Sequence, residues 1–421
     1  MAWPQKPVAA KRPELAAILA GFDLNATRAR AVHGPIQLEP RILPLDEDRD
    51  ELPMVLSLEN RRPQVGRAGA ALCRQSPHLT CCDFLAALGE KREWVAGRYR
   101  LNASKAMAAV FERLQASCTD TKGLVVALPG YLTRTQVTLL TPLAQKARWP
   151  LLGSVQTPLA CALAIHAVQP WSGLALVLDA DDHALSLTTI FADADQLYVQ
   201  AAQTLTHLNL RAWKGRLLDM VADRCIRQSR RDPRDSAPAE QSLYDQLEDA
   251  LDTAAKGKVV DLLIQTPQWY QNLLLRPEDI HAFCARLVAQ TLESVQRILA
   301  ASQARDVLRT VIVTAAAGRL PGLVAALEES VRQPVPLKDL DASEDFGENL
   351  MEISDGPVRV NVLLPDAVAH AAHSLVCRIH RGELPHGHLD MVLPLSNLAQ
   401  PPAAGTPAKR TFRVFSAEKD H

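Results

Sequence analysis

The segment that most narrows the fold covers residues 123–164, GLVVALPGYLTRTQVTLLTPLAQKARWPLLGSVQTPLACALA. Four apolar residues, Leu124 to Ala127, lead into the turn Leu128-Pro129-Gly130-Tyr131. Residues 133–146 have helical spacing, residues 151–155 read as an apolar strand, and Thr157-Pro158 opens an alanine-rich helix. Proline suits a first helical turn because its missing N–H would lack a partner there anyway. Strand, helix, strand, helix implies a parallel strand pair, which needs a crossover helix and is covered by helices. The fold class is therefore α/β.

At 421 residues the chain exceeds one ordinary core, so two or more domains are expected. The formal net charge of −1 provides no bulk basic surface, so neither nucleic acid nor membrane is an expected partner. The eight cysteines include no CxxC and one adjacent pair, Cys81-Cys82. Cys161, Cys225, Cys284 and Cys377 sit among apolar residues, which suits buried thiols in a reducing compartment. The apolar run at residues 15–20 is too short for a secretion signal. Residues 149–178 carry no formal charge and would be long enough to cross a bilayer, but Pro150, Gly153, Pro158, Pro170 and Gly173 break them. They read as buried strand–helix–strand. The expected location is cytoplasmic.

In chain order, residues 1–13 read as a loose lead-in. Strands follow at 17–24, 29–33, 36–43 and 53–58, the first three as an antiparallel meander with Gly34-Pro35 at a turn. Residues 104–116 have helical spacing. Residues 173–178 form a strand ending at Asp179, and 184–191 with 197–202 a hairpin about the turn at Asp193. Thr206 is the expected cap of a helix over 209–230, whose basic end suits a helix C-terminus. Helices are expected over 242–255, 277–302, 321–331 and 367–380, and strands over 259–265, 308–313 and 334–337. An acidic loop at 339–348 and a proline-rich tail, with a linker at 399–409 and strands at 391–395 and 412–415, complete the chain.

Strands ending in Asp-rich turns recur at Asp23 and Asp179, each before a hairpin. A third strand ends in the small-residue turn Thr314-Ala315-Ala316-Ala317-Gly318-Arg319. GFDLNATRA resembles the phosphate loop GIDLGTTNS of the DnaK-type seventy-kilodalton heat-shock chaperones, in the actin-like ATPase superfamily. In that family VVALPGYLTRTQ is similar to VVTVPAYFNDAQ, and VQTPLACALA to INEPTAAALA. LVLDADDHALSL is similar to the second phosphate loop VYDLGGGTFDV, VIVTAAAGRLPGLVAAL to the adenosine motif VVLVGGSTRIPKVQ, and LLPDAVAHAA to the PDEAVAYGA helix start. The order and spacing match over about residues 17–380.

The resemblance implies an actin-like (ribonuclease H-like) fold of two lobes, each on a mixed five-stranded sheet. Lobe I would take residues 1–172 and 361–380, with 37–117 as its outer part. Lobe II would take 173–360, with 210–304 as its outer part. Residues 381–421 would be a short tail without a substrate-binding domain. Asp23 and Asp179 would match the family's carboxylates about a Mg²⁺ hydration shell, Thr27 a retained phosphate-loop threonine, Pro129 the lobe-switch proline and Arg319 the adenosine-motif arginine. Asp23, Thr27, Asp179 and Arg319 are thus the candidate cofactor-binding residues.

The family's chemistry is otherwise eroded. Backbone N–H groups that approach phosphates need residues without a Cβ. Asn25 and Ala26 replace Gly and Thr in the first loop, and Asp181, Asp182 and His183 replace three glycines in the second, with Ala184 at its Thr. Two carboxylates there repel a polyphosphate. Ala315 and Ala316 replace a Gly-Gly pair, Ala70 the essential Lys, Thr157 a Glu, and Asn209-Leu210 another Gly-Gly. Glu248 matches a retained Glu, while Leu251 replaces a Lys.

No catalytic residue and no cofactor are expected; ATP with Mg²⁺ is the cofactor implied if any binds. The histidines between 370 and 388 place His373, Cys377 and His380 on one helix face, a metal-compatible spacing. A buried core helix explains them as well, and no metal site is assigned. The functional expectation is a pseudo-ATPase serving as a protein-binding or scaffold module. The alternative is an ATP-binding, chaperone-like ATPase with altered phosphate loops. A sugar or acetate kinase of the same superfamily fits less well, because no substrate base beyond Asp179 is visible.

Overall fold

The computed structural model describes residues 17–395 except 48, 98, 266–268, 303–306 and 333–357, together with the backbone of residues 414 and 415. The expected lead-in, the strand at 334–337, the acidic loop at 339–348 and the linker at 399–409 lie outside the described residues.

The first sheet is centred on β1 (Ile18–Leu24), which turns back into antiparallel β2 (Arg28–Pro35). On its other side β1 pairs in parallel with β3 (Gly123–Leu128), and β3 with β4 (Leu151–Gln156). Between them run α1 (Ala103–Ser117), α2 (Arg134–Lys146) and, after β4, α3 (Thr157–Val168). Residues 124–128 of β3 are apolar and buried on both faces, as a parallel strand between helical layers requires. A capping box starts α2: Thr133 Oγ1 accepts the Gln136 N–H at 3.3 Å, and Gln136 Oε1 accepts the Thr133 N–H at 2.9 Å.

The second sheet repeats the plan. Its central strand is β5 (Gly173–Ala180), followed by β6 (Leu185–Ala192) and β7 (Gln196–Leu205) in antiparallel sequence. After α4 (Leu210–Ser229), α5 (Ala237–Ala255), the hairpin β8 (Val260–Gln265) and β9 (Tyr270–Leu275), and α6 (Pro277–Ser302), the chain returns as β10 (Leu308–Val313), parallel to β5. Then come α7 (Leu323–Arg332), β11 (Arg359–Leu363) parallel to β10, and α8 (Ala367–His380). Each sheet thus has a central strand with a hairpin mate on one side and two parallel strands on the other.

Among the described residues each sheet has seven strands rather than the expected five. Glu51–Pro53 adds to β2, β12 (Gly387–Leu389) to β4, β13 (Val392–Pro394) to β7, and Val414–Phe415 to β11. The expected tail is therefore partly sheet: within a few residues it joins an edge of each lobe. Pro394 is tolerated because it ends an edge strand. β11 also belongs to the second sheet, so residues 361–363, expected in lobe I, lie in lobe II, and the chain returns to lobe I at α8.

Other expectations shift for local reasons. Residues 36–43 shrink to the two-residue strand Arg41–Ile42, behind Pro35 and Pro40, which cannot donate to a ladder. Gly34 and Pro35 end β2, and the turn follows them. Residues 53–58 divide between two sheets, since Leu56–Ser57 pairs with Gln64–Val65 and Thr80–Cys81. Thr206 caps nothing: Thr206–Leu208 is a 3-10 turn, and Asn209 caps α4 by accepting the Ala212 N–H at 2.8 Å. α5 starts five residues early because Pro238 sits in its first turn.

α3 and α8 lie between the two sheets. One apolar cluster joins Leu19, Val125 and Val155 of the first sheet, residues 159–165 of α3, Leu375 and Val376 of α8, and Val177, Ile190 and Ile312 of the second. Residues 158–165 of α3 are apolar all round and buried by protein, and only its last turn emerges, with Val168 exposed. Among the described residues no helix is long and apolar enough to cross a membrane. A Cβ on Gly21 would collide with the Ala369 carbonyl and the backbone of His373, so this glycine lets α8 lie directly on β1.

Candidate functional site

The duplicated plan brings two tight turns face to face between the lobes, one between β1 and β2 and one between β5 and β6. Asp23 and Asp179 sit near the ends of the two central strands, both buried. The side chains placed between them take up the backbone donors of both turns, while the Thr157 hydroxyl beside them is buried without a hydrogen-bond partner among the described residues.

Six backbone N–H groups of these turns donate to the chain's own side chains, and two more, those of Asn25 and Asp181, donate to the carbonyls of Arg28 and Ala184, each at 3.0 Å. Thr27 and Arg28 donate to Asn25 Oδ1, each at 3.0 Å. His183 and Ala184 donate to Asp181 Oδ1 at 2.8 and 2.9 Å. The remaining two cross between lobes: Ala26 donates to Asp181 Oδ2 at 2.9 Å, and Asp182 to Thr27 Oγ1 at 2.8 Å. Asn and Asp side chains satisfy turn N–H groups in this way whenever a turn must supply its own acceptor.

Asp181 also accepts the Tyr131 hydroxyl at 2.6 Å. Its carboxylate thus holds four donors from three segments and stands as an internal anion between the loops. Burial pushes the Asp181 carboxyl above its usual value, against the pull of those bonds. Burial also raises Asp23, and it raises Asp179 to about 7, helped by repulsion from Asp181 and Asp23. The Tyr131 hydroxyl is held far above its ordinary range, by burial first and then by Asp181, so it remains a donor.

The turn after β10 closes the third side. Thr314 accepts the Ala317 N–H at 3.4 Å and lines the same space as Asp179. Between Asp23, Asn25, Arg28, Asp179, Thr314 and Ala316 about 10 Å³ remains, room for about one water molecule. Thr157 lines the same space. Ligand clefts are typically about 300–1,000 Å³.

Further out, charged side chains neutralise one another. Arg319 pairs with Glu248 and, at 3.1 Å, with Asp252, both on α5. Glu248 also takes Lys214, and Asp182 lies 3.6 Å from Lys214 and 3.7 Å from Arg211. Arg211 reaches Asp83 of the other lobe. Glu51 bridges Arg28 and Arg30 at 3.2 and 2.8 Å, and Arg28 lies 3.8 Å from Asp23. Burial, then Arg28, brings the Arg319 guanidinium down to about 10.

Asp23, Thr27 and Asp179 are therefore gathered around one centre, with Arg319 turned to α5. Ala70 offers only its carbonyl, to Gln241. The histidine-rich stretch is dispersed: His373 is buried with Nε2 3.2 Å from the Gly34 carbonyl and Nδ1 3.7 Å from Cys377 Sγ, while His388 faces Ser154 at 2.8 Å. Burial lowers His373 to about 4. Among the described residues no group of three or more His, Cys, Asp or Glu could hold a metal ion.

No family model matches the chain, and no curated protein matches it.

Several site residues escape a reading of the sequence. Tyr131 lies in the turn after β3, but its partner Asp181 is fifty residues away. Lys214 reads as an ordinary helix lysine until α5 is placed. Arg28 and Arg30 did leave a signal: two basic residues on one face of a strand beside a candidate carboxylate call for an acid, and Glu51 supplies it.

Proposed function

We propose that the chain is a pseudo-ATPase of the actin-like, seventy-kilodalton heat-shock type, a closed two-lobed scaffold that binds a protein partner and turns over no nucleotide. The repeated strand order of the two sheets supports the fold assignment. The observation that carries the function is the self-satisfaction of the two loops. A polyphosphate is held by backbone N–H groups and positive charge. Here the six N–H groups are engaged, the Asp181 carboxylate stands between the loops, and Asp182 is tied to Lys214 and Arg211. Binding would require breaking these bonds, expelling a buried carboxylate and opening the cleft. Two carboxylates, Asp23 and Asp179, would then repel the incoming charge unless cations screened them.

Titration with a fluorescent ATP analogue and Mg²⁺, together with a phosphate-release assay, tests the proposal. No saturable signal and no release are expected. The combined variant Asp181→Gly, Asp182→Gly, His183→Gly, Ala70→Lys and Thr157→Glu is also expected to release none. Saturable binding with turnover by the unaltered chain would favour the alternative, an ATP-binding chaperone-like ATPase.

A further inference from the structure

A second seam joins the lobes, between residues 70–75 in the outer part of lobe I and α5 in the outer part of lobe II. Gln241 of α5 is buried in it, 5% exposed. Its Oε1 accepts the N–H groups of Arg74 at 2.7 Å and Gln75 at 3.1 Å. Its Nε2 donates to the Ala70 carbonyl at 3.1 Å and to Asp245 at 2.6 Å. The amide's two donors and two acceptor sites are thus all used. On either side of it, Glu240 pairs with the Arg74 guanidinium at 3.3 Å, and that guanidinium lies over the Tyr244 ring, 4.9 Å from its centre.

We propose that Gln241, flanked by Glu240 and Tyr244, is a clasp that holds the outer parts of the lobes together and keeps the cleft closed with nothing bound between them. The contact goes to main-chain groups at the end of a short helical turn, so it depends on where the two segments lie and not on a bridging molecule. Buried polar groups that lose their partner are costly, so the clasp favours one relative position of the arms over a range of them. Together with the Ala26–Asp181 and Thr27–Asp182 bonds, it fixes the lobes at two separated places. The inference concerns lobe closure and holds whether or not a nucleotide binds.

Hydrogen exchange followed by mass spectrometry on the ligand-free full chain reads both places at once. In Gln241→Ala the amides of Arg74 and Gln75 should exchange faster by about tenfold or more, the ratio for ~1.4 kcal/mol of opening free energy. The amides of Ala26 and Asp182, which donate across the lobes, should accelerate with them. Gln246→Ala is the comparison: on the same helix, Gln246 bonds the N–H and carbonyl of Leu263 inside lobe II, so only β8 should loosen. Arg74→Ala, which removes the Glu240 and Tyr244 contacts and spares Gln241, should give a smaller change in the same direction and serves if Gln241→Ala fails to fold. Accelerated exchange confined to residues 70–75, with Ala26 and Asp182 as protected as before, would overturn the proposal.

Discussion

The carboxylate of Asp181 accepts the backbone N–H of Ala26 at 2.9 Å, 155 residues away along the chain and in the other lobe. This bond places a fixed anion between two loops whose remaining N–H groups are likewise engaged.

Removing that anion should cost stability. Asp181→Ala leaves the Ala26, His183 and Ala184 N–H groups and the Tyr131 hydroxyl without an acceptor, so a loss of ~3 kcal/mol is expected. Asp181→Asn should cost less, because an amide oxygen still accepts while the penalty for a buried charge disappears. Tyr131→Phe should cost about 1 kcal/mol. Urea unfolding ranks the three; a neutral Asp181→Ala would contradict the arrangement.

Asp179 makes stability fall as pH rises. Its carboxyl is raised from 3.8 to about 7, so the folded chain keeps a proton that the unfolded chain releases. The contribution is complete below about pH 4 and is lost as pH climbs to 7, by up to ~1.4 kcal/mol per pH unit for one group. Asp179→Asn mimics the protonated form, so its advantage over the unaltered chain should widen across that window and stay constant above it. Parallel pH profiles for the two proteins would count against a buried, protonated Asp179.

His373 acts with the opposite sign. Its imidazole is lowered to about 4 from 6.5, so its contribution is complete above pH 6.5 and is lost as pH falls to 4. His373→Gln cannot take up a proton there, and its acid unfolding limb should be shallower than that of the unaltered chain.

Gly21→Ala should destabilise by ~3 kcal/mol, because the added methyl meets the backbone of α8, which cannot turn aside as a side chain can. Gly215→Ala is the contrast. This glycine sits inside α4 with open space at its Cβ position, so alanine should stabilise by ~0.5–1 kcal/mol. Thermal melting of both variants decides between them.

The βαβα segment at 123–168 was legible because each of its elements has a local cause: the apolar run of β3, the Thr133–Gln136 box of α2 and the Pro158 start of α3. α8 was legible to the residue for the same reason. β9 and β11 were not: β9 is held by β8, and β11 by β10, so their cause lies in other parts of the chain. The short strand β12 is likewise defined only by the sheet edge it covers, whereas β13 falls within the strand expected at 391–395. At the site, Asp23 and Asp179 could be found from strand-ending carboxylates. The role of Asp181 could not, because it depends on Ala26 and Tyr131 meeting it from another lobe.

The central claim is that the chain fills its own cleft, and melting the full chain with and without millimolar ATP and Mg²⁺ tests it most directly. A ligand that binds only the folded state must raise Tm. An unchanged Tm is expected, with Asp181 still bonded to Ala26; a reproducible rise of ~2 °C or more would contradict the account.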